Sequence, residues 1–245
     1  MPADPIAFPR GPAGLGRTPD PTSVAQAINA RLRARVIRVG PGPPEGRGIT
    51  TGFEALDAAT GWGGFPPGHI TELIGRATSG RATVAARAVA AARGHSAWVD
   101  VRGALDVDCL LQMGVDLERL AILRPKRPRD AVAVTAQVAA GGLFTLLVLD
   151  SLADLAQGGP TSRWVGQLVR VLTPRLGGSP TAALILTTPD QHFRSLAHAA
   201  ALRIAFAQAG LLHRGGVLRG WRSRATVVKG RGPHGTTVGL EMWLP

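Results

Sequence analysis

Gly75-Arg76-Ala77-Thr78-Ser79-Gly80-Arg81-Ala82-Thr83 is the stretch whose reading decides the fold. Ahead of it, Ile70-Thr71-Glu72-Leu73-Ile74 reads as a short strand, and behind it Val84 to Ala92 is an alanine-rich helical run. A strand, a loop bounded by two glycines and a helix form the setting of a phosphate-binding loop. Backbone N–H groups and the helix N-terminus there converge on anionic oxygens. The usual pattern places Lys and then Ser or Thr after the second glycine. Here Arg81 stands at the lysine position and Ala82 at the hydroxyl position. The glycine spacing is kept while both side chains are changed.

Outward from the loop, strands and helices alternate. Ser96 to Asp100 reads as a strand ending in a carboxylate, Asp108 to Met113 as a helix and Leu120 to Leu123 as a strand. A basic loop from Arg124 to Arg129 leads to a helix over Asp130 to Ala140. Leu143 to Leu149 is continuously apolar and ends in Asp150-Ser151, the signature of a strand buried on both faces of a parallel sheet. A helix over Trp164 to Leu172 and a strand over Ala182 to Leu186 follow, then strands over Arg203 to Phe206, Ala225 to Lys229 and Val238 to Trp243, expected antiparallel at the sheet edge. This order predicts an α/β fold, a mainly parallel sheet flanked by helices.

Upstream, proline-rich residues 1–20 read as a disordered tail. Residues 21–46 read as an N-terminal helix-strand arm and linker, and residues 47–245 as the core. The arm offers Val24, Ala27, Ile28 and Leu32 on one helical face, with Val36 and Ile37 in the strand behind it, as a candidate partner interface. A helix packed on its own core is the competing reading.

The chain of 245 residues is 45% apolar, enough for one sizeable core. Lys plus Arg is 28 against 16 for Asp plus Glu, a formal charge of +12 that favours polyanionic partners, nucleic acid first. The 32 Gly and 19 Pro, with abundant Ala, Val and Arg, also match a GC-rich genome, which would account for part of the arginine excess. The single cysteine, Cys109, excludes a disulfide framework and a cysteine zinc site, and fits a reducing compartment. The first twenty residues carry no apolar core and no later apolar run reaches membrane length, so a cytoplasmic location with no membrane partner is expected. His192 and His198 lie six apart without a third ligand, so no metal site is expected, and Ser151 beside Asp150 has no triad partner.

Gln191 to Leu240 contains no Asp or Glu. Within it Arg219, Arg222, Arg224, Lys229 and Arg231 flank a strand and turns, so several could share one face and contact DNA phosphates. A solvated basic surface, or a docking patch for an acidic partner, is the alternative. Trp221 among them could stack on a base or sit in the core.

These stretches together resemble the RecA family of P-loop proteins. Ile49-Thr50-Thr51-Gly52, Leu56-Asp57 and Gly63 to Ile70 are similar to the segment ahead of the family's phosphate loop. Trp98-Val99-Asp100, Ala104-Leu105-Asp106 and Met113 to Asp116 resemble its next segment, and Leu146 to Ser151 its Walker B strand. The arm from Val24 to Gly40 is similar to the helix and strand through which RecA protomers pack together. The resemblance implies a RecA-like core in which Gly75, Ser79, Gly80, Arg81, Ala82, Thr83, Asp106 and Asp150 form the nucleotide or anion site. It also marks departures: the catalytic carboxylate falls on Arg102, the γ-phosphate-sensing glutamine near Thr187 or Thr188, and the adenine-stacking aromatic on Cys109. From these departures we expect no catalytic residue, a chain that is not an enzyme, and no cofactor, with ATP and Mg²⁺ as the candidates set aside. The DNA-facing loops between Ser151 and Trp164 and between Pro189 and Leu202 look altered too.

A RecA-like chain of this kind resembles the ImuA group, which also carries RecA-like or SulA-like labels. The resemblance implies an accessory or scaffold role in damage-induced (SOS) translesion synthesis and mutagenesis. The implied partners are an ImuB-type polymerase-like protein, an error-prone DNA polymerase and RecA, with DNA and self-association as further candidates. A divergent DNA-dependent ATPase or recombinase and a SulA-like cell-division inhibitor are the alternatives.

Overall fold

The structure is a computed structural model that describes residues 48–127, 130–150, 152, 161–191 and 193–244. The expected tail over 1–20 and arm over 21–46, including Val24, Ala27, Ile28, Leu32, Val36 and Ile37, lie outside the described residues, as do Ser151 and His192.

Among the described residues eight strands form one sheet: β1 (Ile70–Ile74), β2 (His95–Asp100), β3 (Leu120–Leu123), β4 (Phe144–Asp150), β5 (Ala182–Thr187), β6 (Leu202–Arg214), β7 (Val217–Lys229) and β8 (Thr237–Trp243). Their spatial order is β3-β2-β4-β5-β1-β6-β7-β8. From β3 to β6 neighbouring strands are parallel, and β6-β7-β8 are antiparallel. The helices are α1 (Glu54–Thr60), α2 (Arg81–Ala91), α3 (Val107–Gln112), α4 (Asp130–Ala140), α5 (Thr161–Leu176) and α6 (Arg194–Ala199).

The apolar run of β4 works because the strand lies in the middle of the sheet, between β2 and β5. Leu146 and Val148 point to one side, into a core with Val84, Ala85 and Ala88 of α2. Leu147 and Leu149 point to the other, against Val132 and Val138 of α4 and Val165, Leu168 and Leu172 of α5. The period-two alternation of β5 does the same, with Leu184 and Leu186 on the α2 side and Ala183 and Ile185 on the other.

Several bounds differ from the sequence reading. The loop helix α2 begins at Arg81, directly behind Gly80 at φ +91°, rather than at Val84. Helix α5 continues to Leu176 through Pro174 because Leu176 is fully buried against the sheet. Strands β6 and β7 are 13 residues each, much longer than the short stretches expected, since their exposed outer halves lack the apolar pattern of a buried strand. Helices α1 and α6, not anticipated, each bury apolar side chains: Leu56 and Ala59 in α1, Leu196 in α6.

Candidate functional site

The loop leaves the C-terminal end of β1, makes a 3₁₀ turn over Ala77–Ser79 and enters α2 through Gly80. Both glycines are closely surrounded by side chains. A Cβ on Gly75 would lie 2.2 Å from Ser79 Oγ, so Ser79 folds back across the start of the loop. A Cβ on Gly80 would lie 2.4 Å from Met242 Sδ, and its φ of +91° disfavours any other residue. Ser223 Oγ of β7 donates to the Ser79 carbonyl at 2.6 Å. The loop therefore rests on the two antiparallel strands at the sheet edge.

Arg81 does not stand over the loop. Its guanidinium is buried, 7% exposed, and Nη1 donates to the Thr187 carbonyl at the end of β5. The same oxygen accepts from Gly75 N–H at 3.0 Å. Burial holds the Arg81 pKa below its ordinary value, the carboxylate of Asp150 works against that, and the charge of Arg102 adds to it. The arginine thus ties the beginning of α2 to β5 and lies within the field of the carboxylate that ends β4.

Beneath this lies a buried polar chain. Glu72, 2% exposed in the middle of β1, accepts Thr187 Oγ1 on Oε1 at 2.9 Å and Arg203 Nε on Oε2 at 2.6 Å. Arg203 and Glu72 are register partners on β6 and β1. A carboxylate this deep is tolerated because both oxygens are occupied. Thr187, a position where the resemblance places a phosphate sensor, is committed through its hydroxyl to Glu72 and through its carbonyl to Gly75 and Arg81.

The remaining carboxylates are engaged structurally. Asp100, 2% exposed, accepts from Ala104 N–H at 3.0 Å, Leu105 N–H at 3.1 Å and Arg124 Nε at 3.0 Å. Asp106 caps α3 by accepting from Cys109 N–H at 3.1 Å. It follows β2, which β4 and β5 separate from β1. Arg102 and Cys109 are exposed. Of the expected site residues, Gly75, Ser79, Gly80, Arg81, Ala82 and Thr83 are contiguous in the loop and the first turn of α2, Asp150 acts on Arg81 through its charge, and Asp106 caps α3.

A phosphate group fits part of this arrangement. Ser79 Oγ and Arg81 Nε are buried without a hydrogen-bond partner among the described residues, beside the N-terminus of the eleven-residue α2. Ala82 supplies no oxygen where the motif places a hydroxyl, and Thr83 is the next hydroxyl along α2.

The basic residues near the C-terminus divide into different environments. Arg222 and Arg224 alternate with buried Ser223 and Ala225 on β7 and so share its exposed face, with Arg222 Nε paired to Glu241 at 3.1 Å. Arg219 is exposed at the register shift of the β6–β7 pairing, between Gly220 opposite Leu212 and Leu218 opposite His213. Lys229 Nζ donates to the carbonyls of Ala197 at 3.2 Å and His198 at 2.9 Å, at the C-terminal end of α6. Arg231 lies 3.5 Å over the ring of Trp62, which in turn meets His69 at 5.4 Å between centroids. Trp221 is half-buried against the α2-side core. The sequence reading missed Glu72, Ser223 and Met242, and had Arg203 only as one of the basic residues. A lone carboxylate inside the apolar run of β1 was the one local sign of that buried chain.

Comparison with known proteins places this geometry in a family. Residues 35–172 match the RecA N-terminal domain family. The RecA protein of Frankia alni is 32% identical over 180 residues, covering 67% of this chain and 52% of that protein. That of Aquifex aeolicus is 31% identical, covering 75% and 61%. That of Amycolatopsis mediterranei is 30% identical, covering 85% and 68%. The crystal structure of the RadB recombinase superposes with a TM-score of 0.63 at 20% identity, over 79% of this chain and 95% of that one, a likeness of fold. The chain belongs to the RecA family and spans about half to two thirds of the length of these RecA proteins. These findings correct the expectation of a chain that is not an enzyme: its relatives are RecA proteins and its fold is shared with a recombinase. No helix among the described residues is long and apolar enough to cross a membrane.

Proposed function

We propose that this RecA-family chain acts in the response to DNA damage, in translesion synthesis and mutagenesis, as an ImuA-type protein that joins DNA to the proteins that copy across lesions. Its partners on this reading are an ImuB-type polymerase-like protein, an error-prone DNA polymerase or a RecA protein. The observation that carries the reading is the basic outer face of β7 in a RecA-family chain of formal charge +12. Arg222 and Arg224 on the outer face of β7 are the surface we assign to DNA phosphates, supported by their exposure and shared face. Affinity purification from damaged cells tests the reading. Polymerase-type partners or RecA are expected among the recovered proteins, and recovery of division proteins alone would overturn it.

A second reading, DNA-dependent ATP turnover of the recombinase kind, is favoured by the identity of the relatives. The phosphate of the nucleotide would then meet the α2 N-terminus and Ser79, with Asp150 near Arg81. Single-stranded DNA should stimulate phosphate release, and Asp150→Ala should abolish it. Absence of release at saturating ATP, Mg²⁺ and DNA would exclude this reading.

A further inference from the structure

We propose that the far end of the β6–β7 hairpin, with the end of β8 beside it, is a docking surface for an acidic, apolar segment of a partner protein. Seven large hydrophobic side chains are exposed among the described residues, and five are here: Leu211 at 53%, Val217 at 53%, Leu218 at 45%, Trp243 at 50% and Leu244 at 46%. The register sets them on neighbouring rungs at the hairpin end and on both of its faces, Leu211 and Leu218 on the side of Trp221 and Val217 and Trp243 on the side of Gly220. Val217 pairs with Arg214, Leu218 with His213, Leu211 with Trp221 and Trp243 with Gly220, and Leu244 N–H donates to the Arg219 carbonyl at 2.8 Å.

Strand β6 pairs with β1 only from Leu202 to Ala205, so this end of the hairpin runs on past the parallel sheet. The turn itself, Gly215 at φ +59° and Gly216 at φ +77°, closes the hairpin with two residues suited to positive φ and calls for no apolar neighbours. A cluster of exposed leucine, valine and tryptophan on a hairpin end is the mark of an interaction surface. Among the described strands β8 is also the last in the sheet, and an extended segment could add beside it through main-chain hydrogen bonds.

Charge selects the occupant. Arg214, Arg219, Arg222 and Arg224 are exposed around the cluster, and the one carboxylate among these strands, Glu241, is paired with Arg222. A second copy of a chain with net charge +12 would set arginines against arginines. Nucleic acid would satisfy the arginines and leave Leu211, Val217 and Leu218 with nothing to bury against. A segment carrying both carboxylates and apolar side chains satisfies both sets. This surface stands independently of the DNA reading, although Arg222 and Arg224 border both.

Fluorescence anisotropy of the full chain with a labelled peptide alternating Glu with Leu and Phe tests the proposal, against an all-Glu peptide, a Lys–Leu–Phe peptide and single-stranded DNA. The acidic apolar peptide should bind at least about tenfold more tightly than the all-Glu peptide, and the lysine peptide should not bind. The paired substitution Leu218→Ser with Trp243→Ser alters no charge. It should weaken the acidic apolar peptide about tenfold or more and leave DNA affinity unchanged. Hydrogen exchange of the unaltered chain should show protection within Leu211 to Arg219 and Glu241 to Leu244 when the peptide is added, whatever the variant's folding. Equal binding of the all-Glu peptide, unchanged binding by the paired variant, protection elsewhere, or a wild-type dimer that the variant dissolves would each overturn it.

Discussion

Arg81 donates to the carbonyl of Thr187, a residue 106 positions further along the chain, and Gly75 N–H donates to that same oxygen. The two ends of the phosphate loop are thereby tied to the end of β5. The loop's conformation is held by the sheet, and its cation is part of that hold. Four predictions follow from this arrangement and from its surroundings.

Replacing Arg81 by Ala removes the tie and leaves Thr187 O with Gly75 N–H alone. A loss of about 2 kcal/mol in urea unfolding is expected, because a charged, buried donor is removed from a main-chain acceptor. Arg81→Lys, with a shorter reach and no planar fork, should restore only part of it. Unchanged stability in Arg81→Ala would show that the contact contributes nothing.

Glu72→Gln should be far more damaging. It leaves Arg203 beside a neutral amide in a site where both partners are largely buried, at 15% and 2% side-chain exposure, and about 3 kcal/mol is expected. Adding Arg203→Met should recover much of that loss, since the uncompensated charge is then gone. A double-mutant cycle by chemical denaturation reads the coupling directly, and simple additivity would contradict the buried ion pair.

Gly80→Ala places a methyl against Met242 at a positive φ. Destabilisation of about 1–2 kcal/mol is expected, and Met242→Ala should relieve only the steric part, because the backbone strain remains. Ser223→Ala should loosen the loop with a smaller global effect, seen as faster amide exchange at Ala77 to Arg81. Exchange unchanged at those amides would remove β7 as the loop's support.

The cations near the C-terminus should separate by assay. Arg224→Ala should weaken DNA binding about equally across sequences and lower the salt slope by about 1, as for one lost phosphate contact. Lys229→Ala should instead cost about 1 kcal/mol of stability, because its ammonium serves the end of α6. Glu241→Gln, which frees Arg222, should raise DNA affinity. Filter-binding titrations over a range of salt, beside thermal unfolding, check all three.

The parallel core was legible because its causes are local. Leu146 to Leu149 and Ala182 to Leu186 are apolar without interruption, and a strand covered on both faces needs nothing else. The hairpin was legible only as short fragments. Its outer half, Gln208 to Arg219, is mostly exposed, and exposure leaves no alternating pattern for a reader to find. The basic stretch was seen as one group, yet Arg203, Lys229 and Arg231 each face a partner from a distant part of the chain: Glu72, the end of α6 and Trp62.

The sequence by itself determined the α/β class, the position of the phosphate loop and its membership in a glycine-spaced motif, because spacing and period are properties of neighbouring residues. What only the tertiary structure decided is the direction of the side chains at that loop. Arg81 turns to Thr187, Ser79 is held from Ser223, and Gly80 is closed by Met242. Each of these contacts joins residues more than a hundred positions apart, and its energy exists only once the sheet has brought the ends of β1, β5, β7 and β8 together.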